Sequence, residues 1–96
     1  MPDYRLSAAA ADDLAEIADY SFEQFGIEQA LQYGDQLEQC MQHLANNPLM
    51  GASAEFLAPE LRRFEFRSHS IFYCPVADGV RIIRVLHRLM DVDRHI

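Results

Sequence analysis

The stretch VRIIRVLH at residues 80–87 carries apolar side chains on both faces of the strand that it predicts. In a regular strand, successive side chains alternate between the two faces. The alternation places on one face Val80, Ile82, Arg84, Leu86 and Arg88, and on the other Arg81, Ile83, Val85 and His87. A strand that is apolar on both faces is usually central in its sheet or covered twice. We therefore predict that residues 80–87 form an interior strand.

Two more strand-like runs come before this stretch, at residues 61–66 and 70–76. Ala77-Asp78-Gly79 fits a hairpin turn between the last two strands, because glycine readily supplies a positive φ. Arg67-Ser68-His69 is the predicted tight connection between the first two. A further short strand is predicted at Asp3-Tyr4-Arg5-Leu6.

Two helices are predicted between the first strand and the other three. The first covers residues 8–24 and follows Ser7, whose hydroxyl can accept a free N–H of the first turn. Its apolar stripe keeps i, i+3, i+4, i+7 spacing and comprises Leu14, Ile17, Ala18 and Ser21, extended by Phe25. The second helix begins near Glu28, after a break at Gly26, and ends at Asn46-Asn47-Pro48, since proline cannot continue the hydrogen-bond ladder. A link this short predicts an antiparallel hairpin.

The predicted order is therefore β-α-α-β-β-β in a single domain over residues 1–96, with a loop at residues 47–60. The fold class is α+β, a helical hairpin packed on one face of a small, mainly antiparallel four-stranded sheet. Nothing else in this layout covers the second face of the strand at residues 80–87. We expect a partner segment or the C-terminal tail to close that face.

The charges are unevenly distributed along the chain, whose net charge is −7. Residues 1–60 hold eleven acidic residues and one base, whereas residues 61–96 hold seven arginines and four acidic residues, and there is no lysine. The acidic face of the first helix comprises Asp12, Asp13, Glu16, Asp19 and Glu23. The overall charge argues against general nucleic-acid binding, while arginine suits forked contacts with carboxylate or phosphate. Acidic helix faces favour solvent or a basic partner segment.

Cys40 and Cys74 each lie in an apolar run without the spacing of a metal or redox motif, which predicts two free thiols in a reducing compartment. The four histidines are scattered and predict no metal site. No apolar run follows the first residues as in a signal peptide, and none approaches the ~20 residues of a membrane span. We expect a cytoplasmic protein with no membrane partner.

The layout and several short strings resemble the ParE/RelE toxin family nearly from end to end. The opening Tyr4-Arg5-Leu6-Ser7 and the Asn47-Pro48 that precedes Gly51 are similar to that family. The strands match it in Leu61-Arg62-Arg63-Phe64 and in Ser68-His69 followed by Ile71-Phe72-Tyr73. The most specific string is Ile83-Arg84-Val85-Leu86-His87-Arg88, then Met90-Asp91 and Arg94-His95-Ile96, which resembles the C-terminus of the ParE branch.

The resemblance implies the toxin component of a type II toxin–antitoxin system, one that inhibits DNA gyrase without catalysis and without a cofactor or metal. It also implies a ParD-like antitoxin whose disordered C-terminal part folds on the toxin. The complex would bind operator DNA only through the antitoxin. The residues expected to serve toxicity cluster at the end of the last strand and in the tail, and are Arg84, His87, Arg88, Met90, Asp91 and Arg94. Those expected to contact the antitoxin are Leu14, Ile17, Phe25, Arg62, Arg63 and Phe72.

Two other functions remain open at this point. A RelE-like ribonuclease that cleaves mRNA needs proton donors and acceptors and cations for the developing phosphate charge, and its set would be His87, Glu65, Arg67 and Arg84. Alternation aims Arg84 and His87 at opposite faces, which argues against this set. A non-toxic module that only binds the antitoxin, as a co-repressor, is the other alternative. In purely structural roles, Arg84 would pair with a helix carboxylate and His87 would close a turn.

Overall fold

Eight elements of secondary structure follow one another in the computed structural model, which describes residues 1–96. In chain order they are β1 (Asp3–Leu6), α1 (Ala8–Phe25), α2 (Ile27–Asn46), β2 (Ala52–Ser53), β3 (Arg62–Phe66), β4 (His69–Val76), β5 (Gly79–His87) and α3 (Val92–His95). The strands form one sheet in the order β1-β5-β4-β3-β2, in which β1 and β5 are parallel and all other neighbours are antiparallel. The predicted α+β class and the helical hairpin are confirmed.

The two helices begin and end close to the predicted residues. The Ser7 hydroxyl accepts the backbone N–H of Ala10 at 3.0 Å, which satisfies one of the free donors of the first turn of α1. Gly26 separates α1 from α2 with a φ of +86°, a conformation that L side chains rarely adopt. The hairpin packs on one face of the sheet around a buried core of Ala10, Leu37, Met41, Leu44, Ala45, Ile71, Tyr73, Val80, Ile82 and Val85.

The sheet has five strands rather than the four predicted. The additional strand, β2, lies in the segment predicted as loop and pairs Ala52 and Ser53 with Arg63 and Arg62 at the edge of the sheet. Two residues are too few for an alternating pattern to be visible in sequence, so this strand could not be recognised. Likewise α3 was predicted only as tail, since four residues show no helical period.

A β-bulge in β5 changes which of its side chains share a face. Phe72 pairs with Arg84, but the next residue, Tyr73, pairs with Ile82, which leaves Ile83 as an extra residue. An extra residue reverses the alternation beyond it. The predicted grouping is therefore wrong past Ile82. The apolar residues that face the helices are Val80, Ile82 and Val85, and those of the opposite face are Ile83 and Leu86.

The second face of the sheet is largely covered by the chain itself, contrary to the predicted layout. A smaller core forms there from Ala54, Leu61, Phe72 and Leu86, with Leu57, Ala58, Cys74, Ile83 and Val92 packed against it. We expected a partner segment or the C-terminal tail to cover this face. The tail contributes only Val92 of α3, and most of the cover comes from residues 54–61. Cys40 and Cys74 are free and half-buried, and they pack on opposite sides of the sheet. No helix combines the length and apolarity that crossing a membrane requires.

Candidate functional sites

Arg84 is held between two helices by hydrogen bonds to both. Its Nε and Nη2 donate to the two carboxylate oxygens of Asp13 on α1, at 2.8 and 2.7 Å. Asp13 also accepts the backbone N–H of Val85 at 2.9 Å, and Nη1 of Arg84 donates to the carbonyl oxygen of His95 at 2.8 Å. The pair therefore joins α1, β5 and α3, which is the structural role that the sequence left open for Arg84.

The ion pair between Asp13 and Arg84 is shielded from solvent. The prediction that Asp13 lies on the exposed acidic face of the first helix is therefore wrong. The Asp13 side chain is 8% exposed and that of Arg84 is 21% exposed, so Asp13 does not lie on the solvated face with its acidic neighbours. The hydrogen bond to Asp13 is the largest cause of a raised pKa at Arg84. A buried charge is retained where it is paired and hydrogen-bonded. Sequence analysis missed this, because helical spacing groups Asp13 with Glu16, three residues on, in the acidic face.

Four of the six residues predicted for toxicity lie together in the C-terminal segment, residues 88–96. Arg88, Met90, Asp91 and Arg94 are all exposed there. Leu89, which sequence analysis did not single out, is 84% exposed. Asp91 caps α3 by accepting the N–H of Asp93 at 3.2 Å, and it lies 3.4 Å from Arg94. The segment thus presents apolar and basic side chains to solvent beyond what the core uses.

His87 lies apart from Arg84, on the face of the sheet that packs against the helices. Its Nδ1 accepts the backbone N–H of Leu89 at 3.2 Å, so it closes the turn that follows β5. Its ring stands edge-on to that of His69, with the ring centroids 5.5 Å apart. His87 therefore connects the C-terminal segment to a second site.

That second site is a cleft of about 530 Å³ between the tip of the helical hairpin and the ends of β4 and β5. We call it the histidine cleft, and its eleven lining residues are Tyr20, Ser21, Phe25, Gln29, Gln32, Tyr33, Gln36, Arg67, Ser68, His69 and His87. The hydroxyl of Tyr33 lies 2.6 Å from Nδ1 of His69. Burial is the largest cause of a raised pKa at Tyr33 and of a lowered pKa at His69, with nearby His87 contributing to the latter. Both pKa shifts favour the uncharged form of each group, so this is a hydrogen bond between a neutral hydroxyl and a neutral imidazole.

Of the four residues of the ribonuclease alternative, Arg67 and His87 share the histidine cleft, whereas Glu65 and Arg84 lie outside it. Glu65 accepts from the Ser70 hydroxyl at 2.9 and 3.0 Å and from Arg63, on the sheet face away from the helices. His87 faces the helices, and Arg84 is occupied by Asp13. No group of three or more histidine, cysteine, aspartate or glutamate side chains is arranged to hold a metal ion.

The residues predicted to contact an antitoxin are scattered. Leu14 and Ile17 pack half-buried against the main core, and Arg62 and Arg63 are half-buried along β3. Arg62 donates to the carbonyl oxygens of Gly51 and Leu49, and Arg63 to Glu65 and the Ser70 hydroxyl. Phe72 is 0% exposed beneath residues 54–61, so it cannot meet a partner while that segment stays in place.

Of the predicted contacts, Phe25 alone is widely exposed, at 59%, and it belongs to an apolar surface that sequence analysis missed. This surface, the hairpin tip, consists of Tyr20, Phe22, Phe25, Ile27 and Leu31, all more than half exposed. The available signal was the presence of Phe22 outside the apolar stripe of the first helix and of Ile27 directly after the break at Gly26. Contiguous exposed apolar side chains mark interaction sites more often than solvated surface.

Comparison with known proteins gives the following relatives. The sequence model of the family described as "ParE toxin of type II toxin-antitoxin system, parDE" matches residues 4–92. Toxin ParE1 of Caulobacter vibrioides is 41% identical over 96 residues, which cover 100% of this chain and 99% of the relative. Toxin ParE1 of Mycobacterium tuberculosis is 37% identical over 94 residues, covering 97% and 96%. A solved structure described as "Chromosomal ParDE TA system from P. aeruginosa" matches with a TM-score of 0.76 at 21% identity, covering 91% of this chain and 96% of that one, which bears on the fold alone.

Proposed function

The chain belongs to the ParE toxin family of type II toxin–antitoxin systems, and from this premise we propose that it inhibits DNA gyrase and is neutralised by a ParD-like antitoxin. In this proposal it acts by binding rather than by catalysis. The antitoxin, rather than the toxin, binds the operator DNA. The single observation that best supports the proposal is the exposed C-terminal segment at residues 88–96.

The C-terminal segment has the composition of a binding surface. Leu89 and Met90 are exposed apolar side chains flanked by Arg88 and Arg94. An apolar centre with basic side chains around it suits a protein partner, because arginine forms forked hydrogen bonds with carboxylates or phosphates. We assign Arg88, Met90, Asp91 and Arg94 to target contact. Arg84 and His87 position the segment, through His95 and Leu89 respectively.

Action without catalysis fits the separation of the possible catalytic groups. Hydrolysis or transfer at a phosphodiester needs a proton donor, a proton acceptor and cations at one reacting centre. Arg67 and His87 share the histidine cleft, which has no carboxylate in its wall, while Glu65 and Arg84 lie outside it and are engaged in ion pairs. A toxin that stalls its target needs only to bind it, and the exposed C-terminal segment offers a surface for binding.

The antitoxin is assigned to the helical hairpin. Phe25 and the other residues of the hairpin tip offer an exposed apolar surface, and the outer face of α1 beside it is acidic. A disordered segment that folds as an amphipathic helix would bury this apolar surface, and its basic side chains would meet the carboxylates. The antitoxin segment would contact Leu14 and Ile17 at the edge of this surface.

The target assignment is tested with purified gyrase in a supercoiling assay. The double variant Arg88→Glu with Met90→Ala changes only exposed side chains, so the fold should persist. We expect it to need at least tenfold more protein for the same inhibition, whereas Arg81→Glu, an exposed arginine elsewhere, should match the unmodified chain. Circular dichroism of all three checks the fold.

Controlled expression in cells separates the remaining alternatives. Filamentation with a DNA damage response would support gyrase inhibition, whereas rapid loss of protein synthesis would instead support the ribonuclease. Normal growth, together with no effect of the purified chain on gyrase, would leave only the antitoxin-binding module.

A further inference from the structure

The histidine cleft contains no carboxylate, although this chain is strongly acidic. None of its eleven lining residues is aspartate or glutamate, whereas the chain has fifteen of them and a net charge of −7. The wall instead provides the guanidinium of Arg67, two imidazoles, hydroxyl groups and three glutamine amides. An anion that enters the cleft therefore meets donors and positive charge, without repulsion from its wall.

Hydrogen bonds engage Nδ1 of both histidines in the cleft and leave Nε2 of each unbonded. The backbone N–H of Leu89 donates to Nδ1 of His87, so the neutral ring carries its proton on Nε2. Nδ1 of His69 is hydrogen-bonded to the hydroxyl of Tyr33, 2.6 Å away, so Nε2 is the ring nitrogen left for a ligand. Neither Nε2 has a hydrogen-bond acceptor in the chain, and neither is enclosed. Two unbonded Nε2 atoms thus lie on rings whose centroids are 5.5 Å apart, and each can donate to an anion when it carries the proton.

The cleft also offers an aromatic wall and an unfilled acceptor. The rings of Tyr20 and Phe25 line it and are 61% and 59% exposed, so a flat heterocycle could pack on them and cover apolar surface. Oε1 of Gln36 is buried without any hydrogen-bond partner. Buried polar atoms normally have a partner, and a hydroxyl or amino group of a ligand would supply it once the Gln36 amide turns toward the cleft.

We propose that the histidine cleft binds a nucleotide, with its phosphate monoester accepting hydrogen bonds from Arg67, His69 and His87. The base packs against Tyr20 and Phe25, and a sugar hydroxyl or base amino group donates to Gln36. The volume of about 530 Å³ is within the range of small-ligand sites. Arginine matches the geometry of a phosphate, and a terminal phosphate has enough oxygens for all three donors. The cleft shares Tyr20 and Phe25 with the hairpin tip assigned to the antitoxin, so nucleotide and antitoxin would compete for these two rings, but nucleotide binding by the free chain does not require the proposed function.

Adenosine 5′-monophosphate, inorganic phosphate and adenosine are the probes, each titrated into the full chain at neutral pH. Calorimetry gives the affinity, and ¹⁵N-resolved NMR of the imidazoles reports on His69 and His87. We expect saturable one-to-one binding of the nucleotide, at least tenfold tighter than that of either fragment, with both Nε2 resonances shifting. Adenosine binding as tightly as the nucleotide, or no saturation by about 10 mM, would overturn the proposal.

Variants distinguish the site from general attraction of anions to arginine. Arg67→Gln should weaken nucleotide binding about tenfold. Arg81→Gln removes the same charge from an exposed arginine outside the cleft and should stay within about twofold of the unmodified chain. Equal weakening by the two variants would contradict a built site.

Gln36→Met, which keeps the side-chain volume, tests the second end of the ligand. It should weaken binding of the nucleotide and leave that of inorganic phosphate unchanged, because only the nucleotide reaches Gln36. Unchanged nucleotide binding in a folded Gln36→Met chain would refute the assigned orientation. Melting curves of each variant verify the fold.

Discussion

Asp13 accepts three hydrogen bonds from β5. Among the polar side chains, we expect its removal to lower the free energy of unfolding most. Its carboxylate holds both the Arg84 guanidinium and the Val85 N–H in a largely buried place. Removing one partner of such a pair leaves the other charge buried and unpaired, which is more costly than the pair itself is stabilising. The stability of the hairpin-to-sheet contact therefore depends on a side chain that helical spacing alone assigns to solvent.

We expect Asp13→Ala to lower the free energy of unfolding by about 3–5 kcal/mol, measured by urea denaturation. Asp12→Ala, next to it on the exposed face of the helix, should cost less than about 1 kcal/mol. The two changes remove the same charge, so their difference isolates the buried pair. A cost for Asp13→Ala no larger than that for Asp12→Ala would show that the pair contributes little.

Arg67 is a second residue where local preference and observed conformation disagree. It adopts a φ of +53° in the tight turn between β3 and β4, a region where glycine is favoured. Its side chain lies over the ring of Phe66, 5.6 Å from the centroid, and lines the histidine cleft. A non-glycine residue in this conformation costs about 1–2 kcal/mol. Keeping arginine there is consistent with a role for its guanidinium, which the binding experiments above examine.

At the scale of elements, Gly79 determines how β1 joins the sheet. It ends the turn between β4 and β5 with a φ of +138° and lies opposite Asp3, with which it pairs. A Cβ at this position would stand 1.8 Å from the carbonyl oxygen of Asp3. The close approach of β1 to β5 therefore requires glycine here for space as well as for backbone conformation.

Gly79→Ala should accordingly destabilise the fold by about 3 kcal/mol or more, seen as a lower urea midpoint. Hydrogen exchange at residues 3–6 should accelerate, because β1 loses its pairing first. Gly34→Ala is the matched control, since nothing lies within 4 Å of a Cβ there and the residue is helical. It should stabilise the chain by up to about 1 kcal/mol. Similar effects of the two substitutions would rule out the close β1 contact as the cause.

The elements that the sequence predicted are those long enough to show a period. Both helices, β1 and the three long strands were predicted to within about two residues at each end, because alternation and helical spacing extend over several side chains. The bulge at Ile83 was invisible, since one extra residue breaks no local preference and appears only in the pairing with β4. The cover formed by residues 54–61 was missed because its apolar side chains follow neither period.

The candidate sites were predicted less completely than the elements. Exposure of the C-terminal segment follows from its place after the last strand, and sequence alone led us to propose Arg88, Met90, Asp91 and Arg94 there for target contact. The histidine cleft joins Tyr33 to His69 and His87; the two histidines are opposed in the β4–β5 pairing, and Tyr33 reaches them only through the packing of α2 on the sheet. Nothing within a single element indicates such a meeting.

For the whole molecule, the decisive feature is the separation of charge between its layers. The helical hairpin carries most of the acidic residues, including exposed Asp19 and Glu23, while seven of the eight arginines lie in the C-terminal third. Exposed charges act on a partner over roughly 8–10 Å at physiological salt and increase the rate of encounter more than the final affinity. If the antitoxin docks on the hairpin through a basic segment, its association rate should depend on these carboxylates and on salt.

We expect Asp19→Asn with Glu23→Gln to slow association of the cognate antitoxin about three- to tenfold in 50 mM salt, and by less than about twofold in 0.5 M salt. Glu55→Gln with Glu60→Gln makes the same change in net charge at exposed positions away from the hairpin, and should leave the rate nearly unchanged. Stopped-flow or surface-based kinetics would measure both. Equal slowing by the two pairs would mean that net charge alone governs encounter, whereas slowing by the second pair only would move the antitoxin from the hairpin to the side of the sheet covered by residues 54–61.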